Sequence, residues 1–224
     1  MLSHVWALVP VKDFCASKQR LGAALSASSR SRLAEAMMRD VLGTLTSVPQ
    51  LERVAIITKD KQAKVIATEM DVFVIEENEN QGETEAVTQA IRVLLGHGAR
   101  TMLVVPGDVP YISRKDVEAI LEASRGADIV LVPAHDGRGT NAVLLTPPNA
   151  FALRFGYDSF RPHLASALAL NLRVTVLHLA TIGLDIDTPS DLASLSAWPP
   201  RSSSTRTDAV LDEIQHKLQY PELE

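Results

Sequence analysis

Short apolar runs alternate with segments of helical periodicity through most of this chain, and no other feature restricts the fold as much. The runs WALVPV, VAIITK, VFVIEE, MLVVPG, IVLVPA, AVLLTP and VTVLHL are rich in Val, Ile and Leu without polar alternation, as strands buried on both faces are. Between them, Ser29 to Leu45, Asp60 to Met70, Glu83 to Leu95, Ser113 to Ser124 and Phe160 to Ala169 carry apolar residues at helical spacing. Strand–helix–strand order predicts an α/β fold with one doubly wound, mostly parallel sheet, helices on both faces and right-handed crossovers. Ligands in such sheets bind beyond the carboxyl ends of the strands, where the loops gather.

With 224 residues, 46% of them hydrophobic, the chain can bury one substantial core. One domain is expected over residues 1–197. The Pro/Ser-rich stretch WPPRSSSTRT, 198–207, reads as a linker. Residues 208–224 form a terminal amphipathic helix and tail, with Val210, Leu211, Ile214 and Leu218 on one side, to dock on its own subunit or on a neighbour as a homodimer. A net charge of −5 offers no basic field for nucleic acid. The single cysteine, Cys15, rules out an intramolecular disulfide and a thiolate-rich metal site. No apolar stretch is long enough to span a membrane, and the N-terminus lacks a basic region followed by a long apolar core; a cytoplasmic protein without a membrane partner is expected.

Several loops carry charge in meaningful places. LDIDTPSDL sets Asp185 and Asp187 one residue apart, and in a strand this spacing aims both carboxylates at one point. Asp, Thr and Pro are also common where a strand turns into a helix, so the pair alone leaves that reading open. VPVKDFCASKQRL places Lys12, Lys18 and Arg20 just after the first strand, either as a solvated basic loop or as a cradle for a triphosphate. No Walker motif or GxGxxG is present. VVPGDVPYIS puts Asp108 at the end of a central strand, and Asp108, Asp185 and Asp187 together suit Mg²⁺, which prefers oxygen ligands and substrate phosphates. DGRGTNAVL offers Thr140 and Asn141 as hydrogen-bond donors behind two glycines, Gly137 and Gly139. RFGYDSFRPHL sets Gly156 ahead of Ser159 at a helix N-terminus, where an anion is favoured, although Ser159 could equally cap the helix. His135 and His163 lie near these loops and are assigned no role.

Taken in order, VPVKDFCASKQRL, VVPGDVP, DGRGTN, FGYDSF and LDIDTPSDL resemble the 2-phospho-L-lactate guanylyltransferase family of deazaflavin coenzyme F-420 biosynthesis. The resemblance runs from Trp6 to Leu192 and implies the nucleotidyltransferase version of the doubly wound fold, similar to enzymes that activate molybdopterin and sugar phosphates. It implies that Asp108, Asp185 and Asp187 hold Mg²⁺, or Mn²⁺ in its place. It implies that Lys12, Ser17, Lys18 and Arg20 bind GTP, with Gly82 and Thr84 near the base and ribose and with Lys18 and Asp108 catalytic. It assigns Thr140, Asn141, Gly156 and Ser159 to the acceptor, a small phosphorylated carboxylic acid: 2-phospho-L-lactate, phosphoenolpyruvate or 3-phosphoglycerate. The family usually has a GLN-like stretch opening the third helix. This chain reads QGETEAV, with Glu83 and Thr84 in place of Leu and Asn, and guanine specificity is the inference this departure touches most.

The implied chemistry needs no catalytic triad. A phosphate monoester has its second pKa near 6, so at neutral pH the acceptor is already a dianionic nucleophile, and the obstacle is repulsion between two anions. Two other readings remain at this point: a nucleotidyltransferase acting on molybdopterin or a sugar phosphate, and a nucleotide-binding protein without catalysis. The first usually carries a glycine-rich loop after the first strand, absent here. The second leaves the like-charged Asp trio unexplained.

Overall fold

In a computed structural model of the chain, the structure describes residues 4–77, 82–195 and 205–219, the last segment with side chains as far as His216. Each apolar run forms a strand: β1 Val5–Pro10, β2 Arg53–Thr58, β3 Phe73–Glu76, β4 Thr101–Val104, β5 Ile129–Pro133, β6 Thr140–Leu145 and β7 Val174–Val176. They make one sheet in the order β3-β2-β1-β4-β6-β5-β7. β1 pairs in parallel with β2 and β4, β2 with β3, and β5 with β7. β6 alone runs antiparallel, to β4 and β5.

The helices fall where the periodicity puts them: α1 Ala27–Thr46, α2 Lys61–Glu69, α3 Glu83–Gly96, α4 Arg114–Ala123 and α5 Phe160–Ala169. α1 begins ahead of Ser29 because Ser26 is its N-cap, its hydroxyl accepting from the Ser29 N–H. Strand residues alternate between two cores. Val5, Ala7 and Val9 of β1 face a core built with α1, α2 and α4, while Trp6 and Leu8 face one built with α3 and α5. Each Val, Leu or Ile so buried contributes about 1.5–3 kcal/mol. Among the described residues no helix is long and apolar enough to cross a membrane.

The segment with Asp185 and Asp187 is not a strand. It is an extended link between two short helices, α6 Ala180–Gly183 and α7 Pro189–Ser194, and the Ile186 N–H donates to Asp108 O at 3.1 Å. Thr188 is the N-cap of α7, in a reciprocal capping box with Asp191 and with Pro189 in the first turn. Capping thus accounts for Thr188, Pro189 and Asp191, not for Asp185 and Asp187. Leu184 and Ile186 are fully buried, so the two carboxylates between and beyond them turn the other way, as extended backbone dictates.

The terminal helix α8, Arg206–Gln219, begins two residues ahead of Asp208. Asp40 of α1 explains the earlier start: its carboxylate accepts from the N–H groups of Arg206 and Thr207 and from the Thr207 hydroxyl, at 3.1, 2.8 and 2.7 Å. α8 docks on its own chain. Ile214 joins Leu21, Leu33, Met37, Tyr111, Leu184 and Ile186 in a third apolar cluster. Of the expected linker, residues 198–204 lie outside the described residues, as does the side chain of Leu218.

Candidate active site

β2 and β3 extend the sheet from one side of β1, and β4 opens the other side, so chain order reverses between β1 and β4. Loops leaving these two ends diverge and leave a crevice. A cleft of about 480 Å³ lies there, within the range of ligand pockets, and Lys12, Ser17, Lys18, Arg20, Gly82, Asp108 and Asp187 all line it.

The loop after β1 folds into two single 3-10 turns, Phe14–Ala16 and Gln19–Leu21. Asp13 caps the first, and Asp60 ties it down by accepting from the Phe14 N–H at 2.9 Å. Lys18 stands between the turns with φ 56° and ψ 36°, a left-handed conformation that costs a residue with a Cβ about 1 kcal/mol. Its ammonium offsets that cost. Lys18 Nζ lies 2.7 Å from Asp108 Oδ2 and 3.6 Å from Asp187 Oδ1, with the side chain only 6% exposed. Arg20 takes the other Asp187 oxygen at 3.0 Å.

The electrostatics follow from that placement. Burial alone would lower the Lys18 pKa, but the charges of Asp108, Asp187 and Asp185 outweigh it and hold it above its ordinary value. Burial pushes Asp108 up, and Lys18 more than reverses this, so its carboxyl sits below its usual value. Asp185 lies above its usual value through burial and the nearby Asp108 charge, although it accepts from Asn141 Nδ2 at 3.1 Å. Among the described residues the cations within 4 Å of these carboxylates are Lys18 and the exposed Arg20, and Lys12 acts on Asp108 from further off. Among the described residues no three carboxylate, imidazole or thiolate groups are arranged to hold a metal as they stand. The Lys18 ammonium occupies the space between two of the three.

The remaining expected residues are distributed unevenly. Gly82 is the N-cap of α3 at φ 96° and ψ 170°, a backbone that a side chain rarely adopts. Thr84 does not line the cleft; its hydroxyl accepts from the Phe155 N–H at 2.9 Å and ties α3 to the loop before α5. Glu83 does line it, opposite Lys12 at 3.5 Å, and its carboxyl is raised by burial. Thr140 and Ser159 meet: the Thr140 N–H donates to Ser159 Oγ at 3.0 Å, and both residues are buried. Asn141 turns inward, its amide donating to the carbonyls of Ile182 and Gly183 as well as to Asp185. Gly156 sits in the turn leading to Ser159. Ser159 makes no side-chain cap of α5. The Phe160 N–H is donated to Arg138 O at 2.8 Å and Pro162 has none, so this helix end offers fewer free donors than its position suggests.

His163, assigned no role from the sequence, is a packing residue. It is 1% exposed, accepts from the Arg154 N–H through Nε2 at 2.8 Å, and has Nδ1 3.0 Å from Thr140 Oγ1. Accepting at Nε2 puts the proton of the neutral ring on Nδ1, and burial lowers its pKa to about 4. His135 is exposed. Sequence reasoning missed Lys59 and Glu77, which line the cleft directly after β2 and β3. The rule that singled out Lys12, a charged residue just past a strand end, applies to both.

Comparisons with known proteins place the chain in a family. Residues 5–215 match the family model described as Guanylyl transferase CofC like. A phosphoenolpyruvate guanylyltransferase of Conexibacter woesei is 36% identical over 213 residues, covering 93% of this chain and 96% of that protein. A 2-phospho-L-lactate guanylyltransferase of Methanothermobacter thermautotrophicus is 34% identical over 189 residues, covering 84% and 82%. The crystal structure of a Desulfovibrio desulfuricans G20 protein superposes with TM-score 0.78 at 19% identity, covering all of both chains. A nucleotidyl transferase of Methanothermobacter thermautotrophicus superposes with TM-score 0.65 at 12% identity, covering 87% of this chain and 96% of that one. Those two likenesses are of fold; the sequence matches carry more, and by them this chain belongs to the CofC-like guanylyl transferase family.

Proposed function

We propose that this chain transfers GMP from GTP to a small phosphorylated carboxylic acid and releases pyrophosphate, as a step in making coenzyme F-420. The observation that carries the reading is the cluster of Lys18, Arg20, Asp108 and Asp187 at the crevice between β1 and β4, in a chain of this family. The acceptor is 2-phospho-L-lactate, phosphoenolpyruvate or 3-phosphoglycerate, acids of the kind named for the relatives.

In the reaction an oxygen of the acceptor phosphate bonds to the α-phosphorus of GTP, and the bond from that phosphorus to the departing pyrophosphate breaks. No proton need be removed from the nucleophile at neutral pH, so positioning and charge supply the catalysis. Lys18 and Arg20 neutralise the triphosphate, with Lys12 and the backbone around Ser17 beside them. Thr140, Gly156 and Ser159, which lie outside the lining of the cleft, hold the acceptor, with the Thr140–Ser159 contact fixing the loop before α5 to β6. Asn141 serves by steering Asp185.

The acidic residues fit a hard divalent cation. All donors are carboxylate oxygens, two of them already share one cation, and the Asp108 charge still bears on Asp185. Asp108, Asp185 and Asp187 would hold Mg²⁺ or Mn²⁺, which would screen the phosphate oxygens from one another.

The deciding experiment supplies the protein with GTP, Mg²⁺ and each of the three acids in turn, and measures pyrophosphate and guanylated product. One acid should react clearly. Product with a sugar phosphate or molybdopterin instead would overturn the acceptor assignment.

A further inference from the structure

The cleft has two unlike ends. At the β1–β4 end stand the charged residues just described. Towards the other end it is lined by Lys59 and Glu77, which leave β2 and β3. Strand register pairs Thr58 with Glu76, and the Glu77 N–H donates to Thr58 O at 3.1 Å, so Lys59 and Glu77 leave the sheet side by side. Both line the cleft, as do Ile57, Met38 and Ala86. Among the described residues neither the Glu77 carboxylate nor the Lys59 ammonium has a hydrogen-bond or ion-pair partner. Burial raises the Glu77 carboxyl, and the Lys59 charge works against that rise. The Glu77 carboxylate, partly exposed in the cleft, is placed to accept from the N–H groups of a ligand bound there.

We propose that Glu77, with Lys59 beside it, reads the base edge of the bound nucleotide and makes the cleft select guanine. The inference rests on the guanylyl-transfer reading above. β3 lies three strands from β4, about 14 Å across the strand ends at ~4.8 Å per strand, so a nucleotide laid over them has its phosphates at Lys18 and Arg20 and its base at Glu77. Guanine presents two donors, N1–H and the N2 amine, next to the acceptor O6. A carboxylate takes both donors at once, and an ammonium gives to O6. Adenine would set its N6 amine against Lys59 and its N1 lone pair against Glu77, leaving both protein groups mismatched. Glu83, the departure within QGETEAV, faces Lys12 and stays on the phosphate side.

The test is displacement of a fluorescent GTP analogue, with Mg²⁺ present, by GTP, by ITP (which lacks only the N2 amine) and by ATP. The full chain is compared with Glu77→Gln, Lys59→Ala and Glu83→Gln. The unchanged protein should bind GTP about tenfold tighter than ITP and about a hundredfold tighter than ATP. Glu77→Gln should bring GTP and ITP to within about twofold of one another, and Lys59→Ala should weaken both alike. An unchanged GTP-to-ITP ratio in Glu77→Gln, or its collapse in Glu83→Gln instead, overturns the assignment to Glu77 while leaving guanylyl transfer standing. A wild-type chain indifferent to the base, with no GMP transferred to any acid, overturns both.

Discussion

Lys18 Nζ sits 2.7 Å from Asp108 Oδ2, joining residues ninety positions apart in sequence, and Asp187 shares the same ammonium at 3.6 Å. One side chain therefore holds together the loop after β1, the loop after β4 and the link between α6 and α7. Lys18 is bent into a left-handed backbone to do it, and such strain persists where the surroundings over-determine it, most often at functional sites.

Loss of any member of the acidic trio should abolish turnover. Asp108→Ala, Asp185→Ala and Asp187→Ala should each slow guanylyl transfer about a thousandfold or more, with far-UV circular dichroism unchanged. Full activity in Asp187→Ala would take that carboxylate out of the site.

Lys18→Met should lower both activity and stability. Removing the ammonium leaves Asp108 and Asp187 without their shared cation, a loss of about 3 kcal/mol for a buried pair broken on one side. Asp108 lies below its ordinary 3.8 and Lys18 above its ordinary 10.5. The pair's contribution is therefore complete between those values, lost as pH falls through the folded Asp108 value and lost as pH rises through that of Lys18. Thermal melts at pH 7 in EDTA should show the drop, and added Mg²⁺ should recover more stability for the variant than for the wild type. An identical midpoint in EDTA would refute the pairing.

Asp185→Asn is expected to act in the opposite direction on stability. The Asp185 carboxyl lies above its ordinary value, so its ionised form weakens the fold once pH exceeds 3.8, and the amide removes that penalty. The variant should melt higher than wild type at pH 7 without metal, and no higher at pH 3.

His163 should make stability fall in mild acid. Its pKa is lowered from 6.5 to about 4, so the neutral buried ring contributes fully above 6.5, and the contribution is lost as pH drops from there to about 4. The loss is on the order of 3 kcal/mol. Chemical denaturation across this range should show it, and His163→Gln should flatten that part of the profile. Equal slopes would assign the effect elsewhere.

The terminal helix should prove necessary to the site it does not touch. Ile214 packs with Leu21, behind the Lys18–Arg20 loop, and with Leu184 and Ile186, which flank Asp185. Ile214→Ala should cost about 2–4 kcal/mol. Asp40→Ala, which removes the acceptor of the first α8 N–H groups, should cost about 1 kcal/mol. Both should raise hydrogen exchange in residues 18–22 as well as in α8. Exchange confined to α8 would mean that the loop stands without it.

Strand and helix positions were legible because burial writes itself into composition: strands covered on both faces must be apolar throughout, and helices packed on them must be apolar on one side. Asp108, Lys12 and Lys18 were legible for a related reason, since a doubly wound sheet gathers its loops at the carboxyl ends of its strands and charged residues in those loops have few structural uses there; Asp187 was singled out by a strand spacing that the extended link between α6 and α7 also provides. The pairing of partners was not. Whether Lys18 reaches Asp108, whether Asn141 faces a ligand or Asp185, and whether the Thr84 hydroxyl points to the cleft or to Phe155 depend on backbone directions set by contacts between residues far apart in the chain. The early start of α8 has the same origin, because its cap is Asp40, a residue of another helix. Local sequence carries propensity and periodicity; direction and distance between loops come from the packed sheet and its two layers of helices, which alone bring these side chains within reach of one another.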